Sequence, residues 1–108
     1  MTFPSPIAVP GGQLGTAANG VLFVASFGLF RVEAISVVNT DAGAQTFNLY
    51  IRRSGASAAQ RVTPVNTSLP TGAMWESGPL TLTTGDQLEG DASVAAKLDY
   101  NITITSYV

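Results

Sequence analysis

From Val21 onward, short runs of β-branched and aromatic residues are interrupted by Gly, Pro, Asn and Asp about every ten residues, the spacing of an all-β sandwich or barrel. In TFNLYIR, the apolar residues Phe47, Leu49 and Ile51 alternate with Thr46, Asn48, Tyr50 and Arg52, the period-two signature of a strand with one buried face. The closing run repeats it, with Leu98, Tyr100, Ile102 and Ile104 set against Asp99, Asn101, Thr103 and Thr105. Between these, PLTLTTGDQLEGDASV places Leu80 and Leu82 on one face and turns at Thr84-Gly85-Asp86. It then directs Leu88, Gly90, Ala92 and Val94 inward and Glu89 and Asp91 outward. RVEAISVVN alternates less cleanly and is read as a central strand covered on both sides. RVTPVNTS carries Pro64, which confines it to an edge or a bulge. SGASAAQ (54–60) is a loop, and no window predicts a helix. The pattern predicts an all-β fold, an antiparallel β-sandwich, jelly-roll or immunoglobulin-like, of about 7–8 strands.

The first twenty residues break the pattern. Pro4, Pro6, Pro10 and Gly11-Gly12 suppress both helix and central strand. The chain therefore divides into an extended N-terminal arm, 1–20, and a sandwich domain, 21–108. Phe3, Ile7, Val9 and Leu14 make the arm apolar where a solvated tail is polar, so it is expected to pack on its own domain or on a neighbour. Removal of residues 1–12 is expected to leave the sandwich folded.

Length and composition narrow the function. A chain of 108 residues supports one core. Charged residues are 11% of the total, against about 25% in an average domain, so the surface must be largely Thr, Ser, Asn, Gln, Gly and backbone. The net charge is −2, with five basic residues, which excludes the phosphate-neutralising stripe of a nucleic-acid binder. VLFVASFGLF (21–30) is about half of a membrane span, and no basic side chain precedes it as in a signal peptide. A soluble protein without an export signal is expected, with neither membrane nor nucleic acid as partner.

Candidate chemistry is sparse. The chain has no His and no Cys, which removes the usual general base, the thiolate nucleophile and most metal ligands. Asp41, Asp86, Asp91 and Asp99 fall in turns or at outward strand positions and are read as solvated. Glu89 and Asp91 share a strand face, but that spacing is common and weakly specific for a glycosidase pair. NTDAG (39–43) and TTGDQ (83–87) lack the spacing of a calcium loop and read as turns. The expectation is a protein that is not an enzyme and needs no cofactor. Trp75 keeps a carbohydrate-binding reading open, since an exposed aromatic can stack on a sugar or anchor an interface; Tyr107 is a second interfacial candidate.

The order VEAISVVNTDAGAQTFNLYI, RVTP, LPTGAMWESGPLTLTTGDQLEG, DYNITITSYV resembles small β-sandwich virion proteins of tailed bacteriophages over roughly residues 31–108. In those proteins a strand ending V-x-N-T turns into one of the type T-x-x-L-Y-I, and a later L-x-x-GD-L segment precedes a strand in which Ala and Val alternate with polar residues. The resemblance implies a capsid decoration, or cement, protein. Such a protein is typically a homotrimer bound to the major capsid protein on the outer surface of the virion head, after synthesis in the host cytoplasm. A tail-associated or fibre module is the alternative. On the decoration reading, Phe3, Pro4, Ile7 and Val9 are candidate arm contacts and Trp75 and Tyr107 candidate interface anchors, chosen by composition.

Overall fold

The computed structural model describes residues 5–107, and every described element is a β-strand. The strands are β1 (Ser5–Ala8), β2 (Gly12–Gln13), β3 (Gly20–Val24), β4 (Leu29–Asn39), β5 (Gln45–Arg52) and β6 (Gln60–Arg61). They are followed by β7 (Thr67–Leu69), β8 (Met74–Glu76), β9 (Leu80–Thr83), β10 (Gln87–Ala92) and β11 (Leu98–Tyr107). All pairings are antiparallel and form two sheets.

Three strand positions are broken in two. β1 and β2 both pair with β11, β8 and β9 both pair with β4, and β6 and β7 both pair with β5. Counted by position, the sheets are β1/β2-β11-β4-β8/β9 and β3-β10-β5-β6/β7, two layers of four. The breaks have local causes. Pro10 and Gly11 part β1 from β2, Gly78-Pro79 parts β8 from β9, and Pro64 parts β6 from β7. The stretch read as an arm thus supplies two short strands of the first sheet.

The pairing is nested: the first strand lies beside the last, and β3 beside β10. An immunoglobulin-like sandwich pairs its first strand with its second, so that alternative falls.

Alternation builds the core. Val32, Ile35 and Val37 of β4 face Phe47, Leu49 and Ile51 of β5 across the two layers, each 5% exposed or less. β4 is the central strand expected of RVEAISVVN, but covered on one face only, for Arg31 is exposed and Ser36 and Val38 are half-buried. Its imperfect alternation has a separate cause. Pairing with β11 steps from Ala34↔Thr103 to Val32↔Ile104, so Glu33 is the extra residue of a bulge and the inward period resets there. Gly90 faces inward where three leucines converge: a Cβ there would lie 2.9 Å from Leu49, 3.0 Å from Leu22 and 3.2 Å from Leu14. Val94, expected inward, lies beyond the end of β10 and is exposed.

Candidate functional site

Outward residues of β5 and β10 create the one dense polar cluster of the described chain. In β10, Leu88, Gly90 and Ala92 point into the core, so Gln87, Glu89 and Asp91 point out; β5 sets Asn48, Tyr50 and Arg52 beside them. Two of the four acids expected to be solvated are buried, Asp86 at 3% exposed and Asp91 at 8%, and so is the outward-facing Glu89 at 2%, whereas Asp41 and Asp99 are half-buried.

What covers them is other polar groups. Arg52 donates to Glu89 Oε2 at 2.8 Å and Oε1 at 3.3 Å, a two-pronged charge-assisted pair. Gln87 donates to Oε2 at 2.8 Å and Asn19 Nδ2 to Oε1 at 3.1 Å. Asp91 accepts from the Asn19 backbone N–H at 3.0 Å and from Asn48 Nδ2 at 2.9 Å. Asn48 Oδ1 in turn accepts from Arg61 and from the Asn66 backbone N–H, both at 2.8 Å. The Arg61 guanidinium lies 5.0 Å over the Tyr50 ring, within cation–π range.

The network holds two strained turns. Asn19 (φ 55°) and Asn66 (φ 50°) adopt the left-handed conformation, which Asn tolerates better than most residues. Each gives its backbone N–H to a side chain of this cluster. The cluster therefore ties loops from both flanks of the second sheet to its centre. A second node does the same on a smaller scale. Asp86 accepts from the backbone N–H of Thr83 (2.9 Å) and of Ser54 (2.7 Å) and from Arg53 (3.0 Å), closing the β9–β10 turn onto the end of β5.

The electrostatics oppose acid–base work. The Arg52 hydrogen bonds hold the Glu89 carboxyl below its ordinary value, against the opposing pull of burial. A carboxyl kept ionised in this way is a poor proton donor near neutral pH. Burial pushes Asp86 up, but the Thr83 and Ser54 amides and Arg53 together outweigh it and leave the group lowered. Burial, then the neighbouring Asp91, raises Tyr50. Among the described residues no buried side-chain N or O lacks a partner, no three His, Cys, Asp or Glu side chains gather as metal ligands, and there is no cavity. The turns at 39–43 and 83–87 are turns as expected, with Asn39 Oδ1 accepting the Asp41 N–H at 2.8 Å.

The interface candidates scatter. Ile7 and Val9 are half-buried against this domain's own core. Trp75 is also half-buried, its ring edge-on to Phe47 at 5.7 Å. Phe3 and Pro4 lie outside the described residues. Tyr107 pairs with Leu29, which pairs with Thr83 on its other side.

That row leads to what composition missed. Leu29 is 39% exposed, and Phe27, in the loop before it, is 55% exposed although its ring touches Phe30 at 6.0 Å. Leu29 and Tyr107 are cross-strand neighbours on the outer face of the first sheet, and Phe27 lies two residues before Leu29 at the same end of the sandwich. The signal was visible in VLFVASFGLF, the most apolar run of the chain, and no charged side chain occurs before Arg31.

No family model matches the sequence, and no curated protein does. Solved structures are similar in fold. One is a chain of the infectious bursal disease virus structure, Gx strain, with TM-score 0.53 and 12% identity over 99% of this chain. The present chain spans 33% of that one. The Eiger TNF of S. frugiperda matches with TM-score 0.50 and 8% identity, over 99% of this chain and 93% of its own. The strand order and these likenesses agree. The fold is a jelly roll. This architecture serves viral capsid and lectin domains among others, so the jelly roll by itself leaves function to the surface.

Proposed function

We propose that the chain is a non-enzymatic structural protein of a virion, and within that class a decoration or cement protein of a tailed-phage head. It binds the major capsid protein on the outer surface of the assembled shell and bridges neighbouring capsomers. One observation carries this reading. The polar groups of the second sheet are engaged with one another, while exposed Phe27 and Leu29, the latter paired with Tyr107, put apolar side chains on the surface at one end of the jelly roll. Such a surface matches docking better than chemistry.

The mechanism is linkage. A subunit that binds the assembled shell but not its dissociated parts stabilises the shell by mass action. Apolar contacts are little screened, so attachment persists as salt rises. In this reading Trp75 packs on the core through Phe47, and the carbohydrate-binding alternative is left with only the exposed part of its ring as a stacking platform.

The first test is antibody labelling of intact virions in the electron microscope. Label over the head supports decoration, and label confined to the tail moves the partner to the tail machinery. The second is co-sedimentation with heads that lack the protein. Phe27→Asp with Leu29→Asp is expected to weaken binding at least about tenfold at unchanged fold; undiminished binding would count against this surface.

A further inference from the structure

A two-layer sandwich has four sheet edges, and an open edge offers unpaired N–H and C=O groups to any strand that fits. Three of them are obstructed here. β1 carries Pro6, whose nitrogen has no hydrogen to donate. On the other side of the first sheet, Arg53 occupies the Thr81 carbonyl of β9 at 2.7 Å, and β8 is three residues long and ends on exposed Glu76. The far edge of the second sheet is split into β6, two residues with a charged Arg61, and β7, three residues, with Pro64 between them. β3 has none of these devices. It is five residues long, GVLFV, without charge or proline, and among the described residues it pairs with β10 alone.

We propose that β3 pairs antiparallel with β3 of a second copy, so that the second sheet runs without interruption through a two-fold dimer. Centred between Leu22 and Phe23, this pairing sets Val21 opposite Val24 of the other copy, and Val24 opposite its Val21. The bulge in β3 prepares that contact. Pairing with β10 steps from Phe23↔Leu88 to Val21↔Glu89, which leaves Leu22 as the extra residue. Residues three apart in a regular strand point to opposite faces. Here Val21 lies opposite Glu89 and Val24 opposite Gln87, both outward. Both valines are therefore on one face, 56% and 46% exposed, and the two-fold axis gathers four of them.

Charge favours the same occupant. Residues 1–30 carry no charged side chain, so no like charges meet at the axis. The bulge also adds twist and shortens the usable ladder, which makes the association reversible and concentration-dependent. An isologous contact closes at two copies, so the expected product is a dimer rather than the trimer implied by the phage resemblance. The inference stands apart from the shell reading, because it concerns the isolated chain.

Sedimentation velocity of the full chain over a wide concentration range tests it. A monomer–dimer equilibrium is expected. Val24→Lys should weaken it roughly tenfold or more with an unchanged far-UV CD spectrum and Tm, because Val24 is exposed. Val65→Lys, at a valine 63% exposed and away from β3, should leave it intact. A chain that stays monomeric throughout, a trimer, or a dimer indifferent to Val24→Lys would each overturn the proposal.

Discussion

Asn19 shows how much one side chain can carry here. Its amide donates to Glu89 Oε1 while its backbone N–H reaches Asp91, so it is the donor between two buried carboxylates. Asn19→Asp keeps a residue that tolerates φ 55° and exchanges the amide donor for a charged acceptor. It is expected to cost about 1–3 kcal/mol at neutral pH, because an acceptor replaces a donor at a buried acceptor. Like-charge repulsion raises the new carboxyl's pKa, so the deficit should shrink as pH falls and that carboxyl protonates. Urea titrations of both proteins at neutral and acid pH check this. Gly90 gives a complementary case. Its Cβ-sized gap is already filled by Leu14, Leu22 and Leu49, so Gly90→Ala should destabilise by about 1–2 kcal/mol through overpacking. A melting curve that does not move would show that the leucines relax freely.

Among the elements, the first strand and the β9–β10 turn are the informative ones. Composition marks residues 1–20 as an arm, and on that reading the sandwich stays folded without residues 1–12 while attachment to the capsid weakens. In the fold, β1 covers the edge of β11 with four paired residues, Ser5 to Ala8, and Ile7 packs on the core. Its deletion is therefore expected to lower Tm by about 5–15 °C without abolishing the fold, measurable by thermal CD. In the turn, Asp86→Ala removes the acceptor of two backbone N–H groups and an Arg53 contact. A loss of about 2–3 kcal/mol is expected, read by denaturant unfolding. The strands TFNLYIR and DYNITITSY were legible because one face of each is buried and period two survives to the surface. RVEAISVVN was less so, because a bulge at Glu33 shifts its phase, and no residue type marks a bulge in advance.

For the whole molecule, acid is the informative variable. Glu89 and Asp86 are both held below their ordinary values of 4.5 and 3.8. Folded-state values below the unfolded ones mean stabilisation that is present above the unfolded pKa and lost as pH falls through the folded pKa. With no histidine, side-chain titration contributes little between about pH 5 and 8. A flat stability plateau with a decline below about pH 4.5 is therefore expected, and Glu89→Gln should lower the plateau and soften the decline. A slope centred near neutral pH would contradict this assignment.

The polar cluster was barely visible beforehand, and the reason is geometric. Alternation puts Glu89, Asp91, Asn48 and Tyr50 on outward positions, as the structure does, but an outward position here is not a solvated one. Of the partners that bury them, Arg52 shares β5 with Asn48 and Tyr50, but Asn19, Arg61 and Asn66 come from separate segments brought together only by sheet order. The sequence leaves Trp75 open between core and surface for the same cause, since its neighbour Phe47 lies on a strand of the other layer.

The sequence by itself determined the class of fold, the absence of histidine and cysteine chemistry, the turns and an uncharged first thirty residues, because these depend on local periodicity and composition. Tertiary structure alone decided that the ends of the chain pair in a jelly roll, that three acids are buried, and that Phe27 and Leu29 end on the surface while β3 keeps an open edge. Those outcomes depend on which distant strands become neighbours, and hydrophobic alternation specifies a buried face without specifying its partner.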